Sequence, residues 1–355
     1  MLWNRVNKTV ILSISSPEME KEALQVASRL LREGKLVAFP TETVYGLGAD
    51  ALNPKAVKRI FQAKGRPADN PLIVHVLGLD QARELTPDIP ERAAFLADCF
   101  WPGPLTLVLP KRKRVPDVTT AGLSSVAVRV PNHQLALKLI ETSGISIAAP
   151  SANLSGRPSP TRADHVLEDL SGRIEAVLDG GPCPVGVEST VLSLLSEPSV
   201  LLRPGGVTLE QLETALGERI IDGTVSSGTQ QGSRPLSPGM KYRHYATRAP
   251  LYLVEGRGEQ QTKQMQGLYE GFIAQGRKVG LLTTEETAFL FPRAEVESLG
   301  PRSNLPSAAA LLFHALRRLD ACGVDVIIAE GIEDKDMGRV VMNRLRKAAV
   351  EIITS

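Results

Sequence analysis

Cysteine is nearly missing from this chain of 355 residues: there are three, Cys99, Cys183 and Cys322. They lie far apart and form no C-x-x-C, which excludes a disulfide framework and a zinc site of paired thiolates. Reduced thiols in a cytoplasmic protein are the expectation. Aromatic residues are scarce, at 4%. An excess of charge is missing too. The 41 basic and 39 acidic residues leave a net charge of +2. That is not the footprint of a protein that coats nucleic acid, although a local basic cleft stays open. No run of about 18 apolar residues occurs, so no membrane span is expected. The opening MLWNRVNKTVILSIS lacks the apolar stretch and small-residue cleavage site of a secretion signal. The chain also has no G-x-x-x-x-G-K-[ST], no H-E-x-x-H, no G-x-S-x-G and no internal repeat, so the corresponding phosphate-loop, zinc-protease and serine-hydrolase readings have no support.

What is present is enough apolar residue, 43%, for real cores. Residues 17–33 read as a helix: Ser16 can cap it, Pro17 suits its first position, Glu18 and Glu20 suit its dipole, and Gly34 stops it. A buried strand follows in KLVAFPT, then a helix from Asn53-Pro54 to about Ala63. Further strands are expected in PLIVHVL, PLTLVLP, SSVAVRVP, ISIAAP, EAVLDGG, ESTVLSLLS and SVLLRPGG, with helices near 89–99, 133–142, 161–169 and 208–216. Some of these runs are continuously apolar and others alternate, which predicts a mixed, twisted sheet. A stretch rich in Gly, Ser, Thr and Gln then separates this region from a second alternation of strands (APLYLVEG, KVGLLTTE, AEVESLG, VDVIIAEG) and helices (LPSAAALLFHALRRLDA and GRVVMNRLRKAAVEII). The second region reads as a small, Rossmann-like parallel α/β domain. The expected division is a first domain over 1–217, a linker over 218–248 and a C-terminal domain over 249–355. The pattern Gly46-Leu47-Gly48-Ala49-Asp50-Ala51 matches the dinucleotide fingerprint G-x-G-x-x-A only weakly. The next helix starts after the glycines are past, and a tight turn is the better reading.

Polar clusters recur at the expected strand ends. PTETVYG (40–46) offers the hydroxyls of Thr41, Thr43 and Tyr45 beyond a buried strand. KGRPADNPLIVH (64–75) places Lys64 and Arg66 around Gly65 and Pro67, in a constrained loop suited to phosphate. Either cation could instead simply complement a helix C-terminus, and His75, inside a strand, could be a core histidine. Arg129 in SSVAVRVP needs a partner or a cleft; it can hold a carboxylate through two bonds, or lie on an exposed sheet face. AAPSANLSGRPSPT (148–161) carries Ser151, Asn153, Ser155 and Ser159 around Gly156, and GVEST and LLRPGG add Ser189 and Arg203. PTETVYG and AAPSANLSGRPSPT each also read as an ordinary turn or loop. Together the clusters describe a polar, cationic concavity for a phosphorylated nucleotide and a small zwitterion.

The segments PTETVYGLGADA, KGRPADNPLIVHV, PSANLSGRPSPT, GVESTV and RPGG resemble the YrdC-like family of threonylcarbamoyl-AMP synthases. SPGMKYRHYA resembles the linker of that family's long, two-domain form. The resemblance implies synthesis of threonylcarbamoyl adenylate and pyrophosphate from L-threonine, bicarbonate and ATP with Mg²⁺, for N6-threonylcarbamoyladenosine formation in tRNA. It implies that Thr43, His75, Arg129, Ala149 and Ser189 surround L-threonine. Arg66, Asn70, Ser125, Ser151, Asn153, Ser159 and Arg203 would contact ATP, Lys64 would lie next to the phosphates, and Lys64 and Arg66 would serve catalysis. Ser125 stands where Thr is expected, and Thr247 where Pro is expected. Lys241, Tyr242, Arg243, His244 and Tyr245 would form a lid. Expected partners are the tRNA-modification proteins that take the product, with a transient RNA contact. An RNA-binding module and a carbamoyltransferase accessory protein are the alternatives.

Overall fold

The computed structural model describes residues 3–224 and 244–354. They fall into two units. Gly156–Ser159, Val185–Val187 and the residues from His244 onward form the second, and the rest form the first.

Twelve strands of the first unit form one mixed sheet among the described residues. In spatial order they are Arg5–Val6, Thr9–Ser13, Ala176–Asp179, Val37–Phe39, Gly46–Asp50, Ile147–Ala148, Ile73–His75, Ser125–Arg129, Leu105–Pro110, Thr190–Ser193, Val200–Arg203 and Ile221–Asp222. Helices cover it by burying apolar stripes. Pro17–Arg32, capped by Ser16 on Met19 N, buries Ala23, Leu24, Ala27 and Leu31. Pro54–Lys64 is capped by Asn53, whose side chain accepts from Lys55 N and Ala56 N, and is closed by left-handed Gly65. It buries Val57, Ile60 and Phe61. Glu91–Phe100 and Leu209–Leu216 contribute to a further apolar cluster with Leu105, Leu107 and Leu192.

The GLGADA segment is a correction to the sequence reading. Gly46–Asp50 is a strand, antiparallel to Val37–Phe39, and not a tight turn. Its glycines are there for close approach: a Cβ on Gly48 would stand 2.9 Å from Phe39 Cε1 and 3.2 Å from Val37 O. The strands at Arg5–Val6, Thr9–Ser13 and Ile221–Asp222 were also not anticipated. The last lies in the segment expected as linker and pairs in parallel with Val200–Leu201.

The second unit holds five parallel strands in the order Glu295–Ser298, Val279–Thr283, Val326–Glu330, Leu251–Glu255, Glu351–Thr354. Numbered along the chain this is 3-2-4-1-5, a parallel α/β sheet whose order differs from the dinucleotide-binding 3-2-1 start. The final helix stops at Ala348, and Ile352, expected within it, lies in the edge strand Glu351–Thr354. Lys241, Tyr242 and Arg243 of the expected lid lie outside the described residues. Tyr245 is left-handed (φ 62) and 5% exposed. It stacks on Phe313 with centroids 5.1 Å apart, and the Arg344 guanidinium lies 5.7 Å from the ring centroid. It therefore packs as an anchor of the second unit.

Candidate active site

The connection Pro40–Tyr45 joins two antiparallel strands whose last pair is Phe39 and Gly46. Thr41 organises it. Its hydroxyl donates to Val44 O at 2.7 Å and accepts from the backbone N–H groups of Thr43 and Val44, an ST-turn held by one side chain. Thr43 Oγ1 lies 2.7 Å from Thr41 Oγ1 and accepts from Arg129 Nη1 at 3.0 Å.

Arg129 ends the strand Ser125–Arg129, where it is in parallel register with His75 on the neighbouring strand. It is buried, so the exposed-face alternative is excluded. Arg129 Nε donates to Gly103 O at 3.2 Å, and Nη2 lies 2.6 Å from Glu42 Oε2. That ion pair is out of line for a hydrogen bond: Arg129 Nη2 and both Glu42 oxygens have no aligned partner in the chain. Burial, then the nearby Arg129 charge, pushes the His75 imidazole down to about 3, so it is neutral at ordinary pH. His75 Nδ1 has no hydrogen-bond partner, nor has either polar atom of the Asn70 side chain, which is 0% exposed. Buried polar groups are normally paired. Unpaired atoms on Glu42, Asn70, His75 and Arg129, all from three of the clusters read in the sequence, mark where a polar ligand would be received.

The second group surrounds Lys64. It is buried at the end of its helix, and Nζ donates to Ser151 O at 2.5 Å and Asn153 O at 2.6 Å. It thus fixes the loop whose Ser151 hydroxyl donates to Asn153 Oδ1 at 2.5 Å. Arg66, half-buried, donates to Asn70 O at 3.0 Å and lies 5.8 Å from the Phe61 ring centroid. An antiparallel bridge between Gly46 and Ser151 ties this loop to the strand after Tyr45. Ala149 donates its N–H to Ile73 O at 2.9 Å and would meet a Cβ on Gly46 at 3.1 Å.

The third group joins GVEST to RPGG. Arg203 Nε and Nη2 donate to Ser189 O at 3.0 and 2.8 Å, and Ser189 Oγ lies 2.8 Å from Thr106 Oγ1. Gly205 packs against the same backbone; a Cβ there would stand 2.3 Å from Glu188 O. Ser125 begins the strand that Arg129 ends, about 13 Å along it. Ser159 is buried and belongs to the stretch that groups with the second unit. Glu42 went unselected in the sequence, although PTETVYG contains it. Its signal was a carboxylate flanked by two threonines beyond a buried strand.

These groups form a candidate site in a mixed α/β protein, its buried arginines and unpaired polar atoms suited to an anionic, zwitterionic ligand set. Residues 29–205 match a family described as "Telomere recombination", and residues 207–350 match "Threonylcarbamoyl-AMP synthase, C-terminal domain". The chain is 52% identical to the threonylcarbamoyl-AMP synthase of Pyrococcus abyssi over 341 residues, 96% of this chain and 98% of that one. It is 52% identical to the threonylcarbamoyl-AMP synthase of Bacillus subtilis over 345 residues, 97% and 96% of the two chains. It also resembles the crystal structure of P. abyssi Sua5 complexed with L-threonine, with a TM-score of 0.92 at 51% identity, over 98% of this chain and 100% of that one. The chain belongs to the two-domain threonylcarbamoyl-AMP synthase family.

Proposed function

We infer that this protein is an L-threonylcarbamoyladenylate synthase that makes threonylcarbamoyl-AMP and pyrophosphate from L-threonine, bicarbonate and ATP. The product serves N6-threonylcarbamoyladenosine formation in tRNA, in the cytoplasm. The observation that carries this reading is the buried, fixed Arg129 guanidinium beside Thr43 and in register with neutral His75, in a chain so similar to known synthases along its length.

The reaction needs no covalent enzyme intermediate. The amine of threonine attacks the carbon of bicarbonate or carbon dioxide to give a carbamate. A carbamate oxygen then attacks the α-phosphorus, and pyrophosphate leaves. The protein must position the reactants, neutralise phosphate charge and keep water from a labile carbamate. Arg129 would take the threonine carboxylate. Thr43, His75, the Ala149 backbone and Ser189 would complete that end of the site. Arg66, Asn70, Ser125, Ser151, Asn153, Ser159 and Arg203 would receive ATP, whose phosphates carry Mg²⁺ as part of the substrate. Lys64 holds the Ser151 and Asn153 carbonyls, shaping the loop that would receive ATP, and it would lie next to the phosphates. Among the described residues no helix is long and apolar enough to cross a membrane.

The test is pyrophosphate release from ATP with bicarbonate, with and without L-threonine. Threonine-dependent release is expected, and release that ignores threonine would sink the reading.

A further inference from the structure

Glu42 is a buried charge in this site that the roles above leave unused. It is 4% exposed, and its carboxylate lies 2.6 Å from Arg129 Nη2. A structural ion pair at such depth offsets its desolvation only when the remaining donors and acceptors are satisfied. Here they are not, since neither carboxylate oxygen has an aligned donor. The guanidinium is meanwhile fixed from two other sides by Thr43 Oγ1 and Gly103 O. A rigid cation and a carboxylate with open acceptor sites thus stand side by side. An α-amino acid presents the complementary pair, a carboxylate and an ammonium on one carbon.

We propose that Glu42 receives the α-ammonium of the amino-acid substrate while Arg129 takes its carboxylate, and that Glu42 accepts the proton the nitrogen must lose before it bonds to carbon. The ammonium gives one proton to Glu42, leaving a neutral amine and a carboxylic acid. The amine nitrogen forms its bond to the carbon of bicarbonate, water leaves, and the carbamate results. Glu42 returns its proton to solvent. The charge of the buried carboxylate also makes the site select for an amine beside the carboxylate. The proposal rests on the synthase reading.

The experiment uses the full chain and two ligands: L-threonine, and 3-hydroxybutanoate, which is threonine without its amine. Their affinities are measured by calorimetry or competition for wild type and E42Q. Loss of a charge-assisted hydrogen bond should cut the preference for threonine by about 10- to 100-fold. ATP affinity should hold and threonine-dependent pyrophosphate release should fall. The preference is a ratio within one variant, so a lowered folded fraction cancels. If E42Q does not fold, E42D carries the test, with a smaller loss of preference expected. An unchanged ratio in a folded variant overturns the proposal. So does an equal loss of affinity for ATP, threonine and 3-hydroxybutanoate, which would make Glu42 a structural residue. Wild-type protein that releases pyrophosphate without threonine would instead overturn the synthase reading beneath it.

Discussion

At the residue scale, burial decides which polar groups can do chemistry. His75 shows this most clearly. In the folded protein its imidazole is held down at about 3, by burial first and then by Arg129. In the unfolded chain it titrates near 6.5. Between those values the unfolded state binds the extra proton. The contribution to stability is therefore fully present above about pH 6.5 and is lost as pH falls toward 3. H75Q has no imidazole to titrate. Urea unfolding from pH 7 to pH 4 should show wild type losing stability more steeply, by up to about 1.4 kcal/mol per pH unit. Parallel curves would show that His75 is not buried as described. Turnover should show no titration from this histidine between pH 5 and 9. The same logic explains why the sequence left His75, Arg129 and Lys64 with two readings each. Residue type and spacing place a cation at a strand or helix end, but only packing shows whether it is enclosed. Lys64 proved to serve a loop as well as the end of a helix, because two backbone carbonyls converge on its ammonium.

At the element scale, caps and apolar stripes were legible, and close backbone approach was not. Ser16 and Asn53 cap the helices their side chains announced. The strands carrying His75, Arg129 and Arg203 lie in the apolar runs that predicted them. Gly46–Asp50 was missed because its glycines suggest a turn, when their lack of side chains instead lets Phe39 and Ile147 pack against the strand. The edge strands Arg5–Val6 and Ile221–Asp222 have two residues each, too short to show a period. Glu351–Thr354 continues a helical pattern in sequence and departs from it only where the helix stops. Substitution at two glycines tests the packing argument by sign. In Gly48→Ala the new methyl meets Phe39 Cε1 at 2.9 Å and Ile147 Cγ2 at 3.0 Å. It should cost about 1–3 kcal/mol. In Gly267→Ala, inside the helix Gly258–Ala274, a Cβ meets nothing within 4 Å. It should stabilise its unit by about 0.5–1 kcal/mol. Thermal or urea unfolding reads both, and the same sign in the two variants would refute the account.

At the scale of the whole molecule, the order of elements decides where the first unit can be cut. The sequence placed its end at residue 217, where the last clear helix meets Gly217. The chain then returns to the sheet. Ile220 is buried in the cluster with Leu201 and Leu212, and its N–H donates to Glu213 Oε1 at 3.1 Å. Ile221 N donates to Ser199 O at 2.9 Å and Gly223 N to Leu201 O at 3.0 Å, so the strand is paired along its edge. A fragment of residues 1–217 lacks all of this, and a fragment of residues 1–224 keeps it. Burial of one isoleucine alone is worth about 1.5–3 kcal/mol, so the longer fragment should be more stable by at least that order in urea. Equal midpoints would mean that the strand adds nothing. If the proposed amino-acid site is right, the longer fragment should also bind L-threonine, because the residues proposed for it, Glu42, Thr43, His75, Arg129, Ala149 and Ser189, all belong to the first unit. A fragment of residues 1–224 that folds, by its cooperative unfolding, yet shows no threonine binding in calorimetry would mean that the amino-acid site needs residues beyond 224.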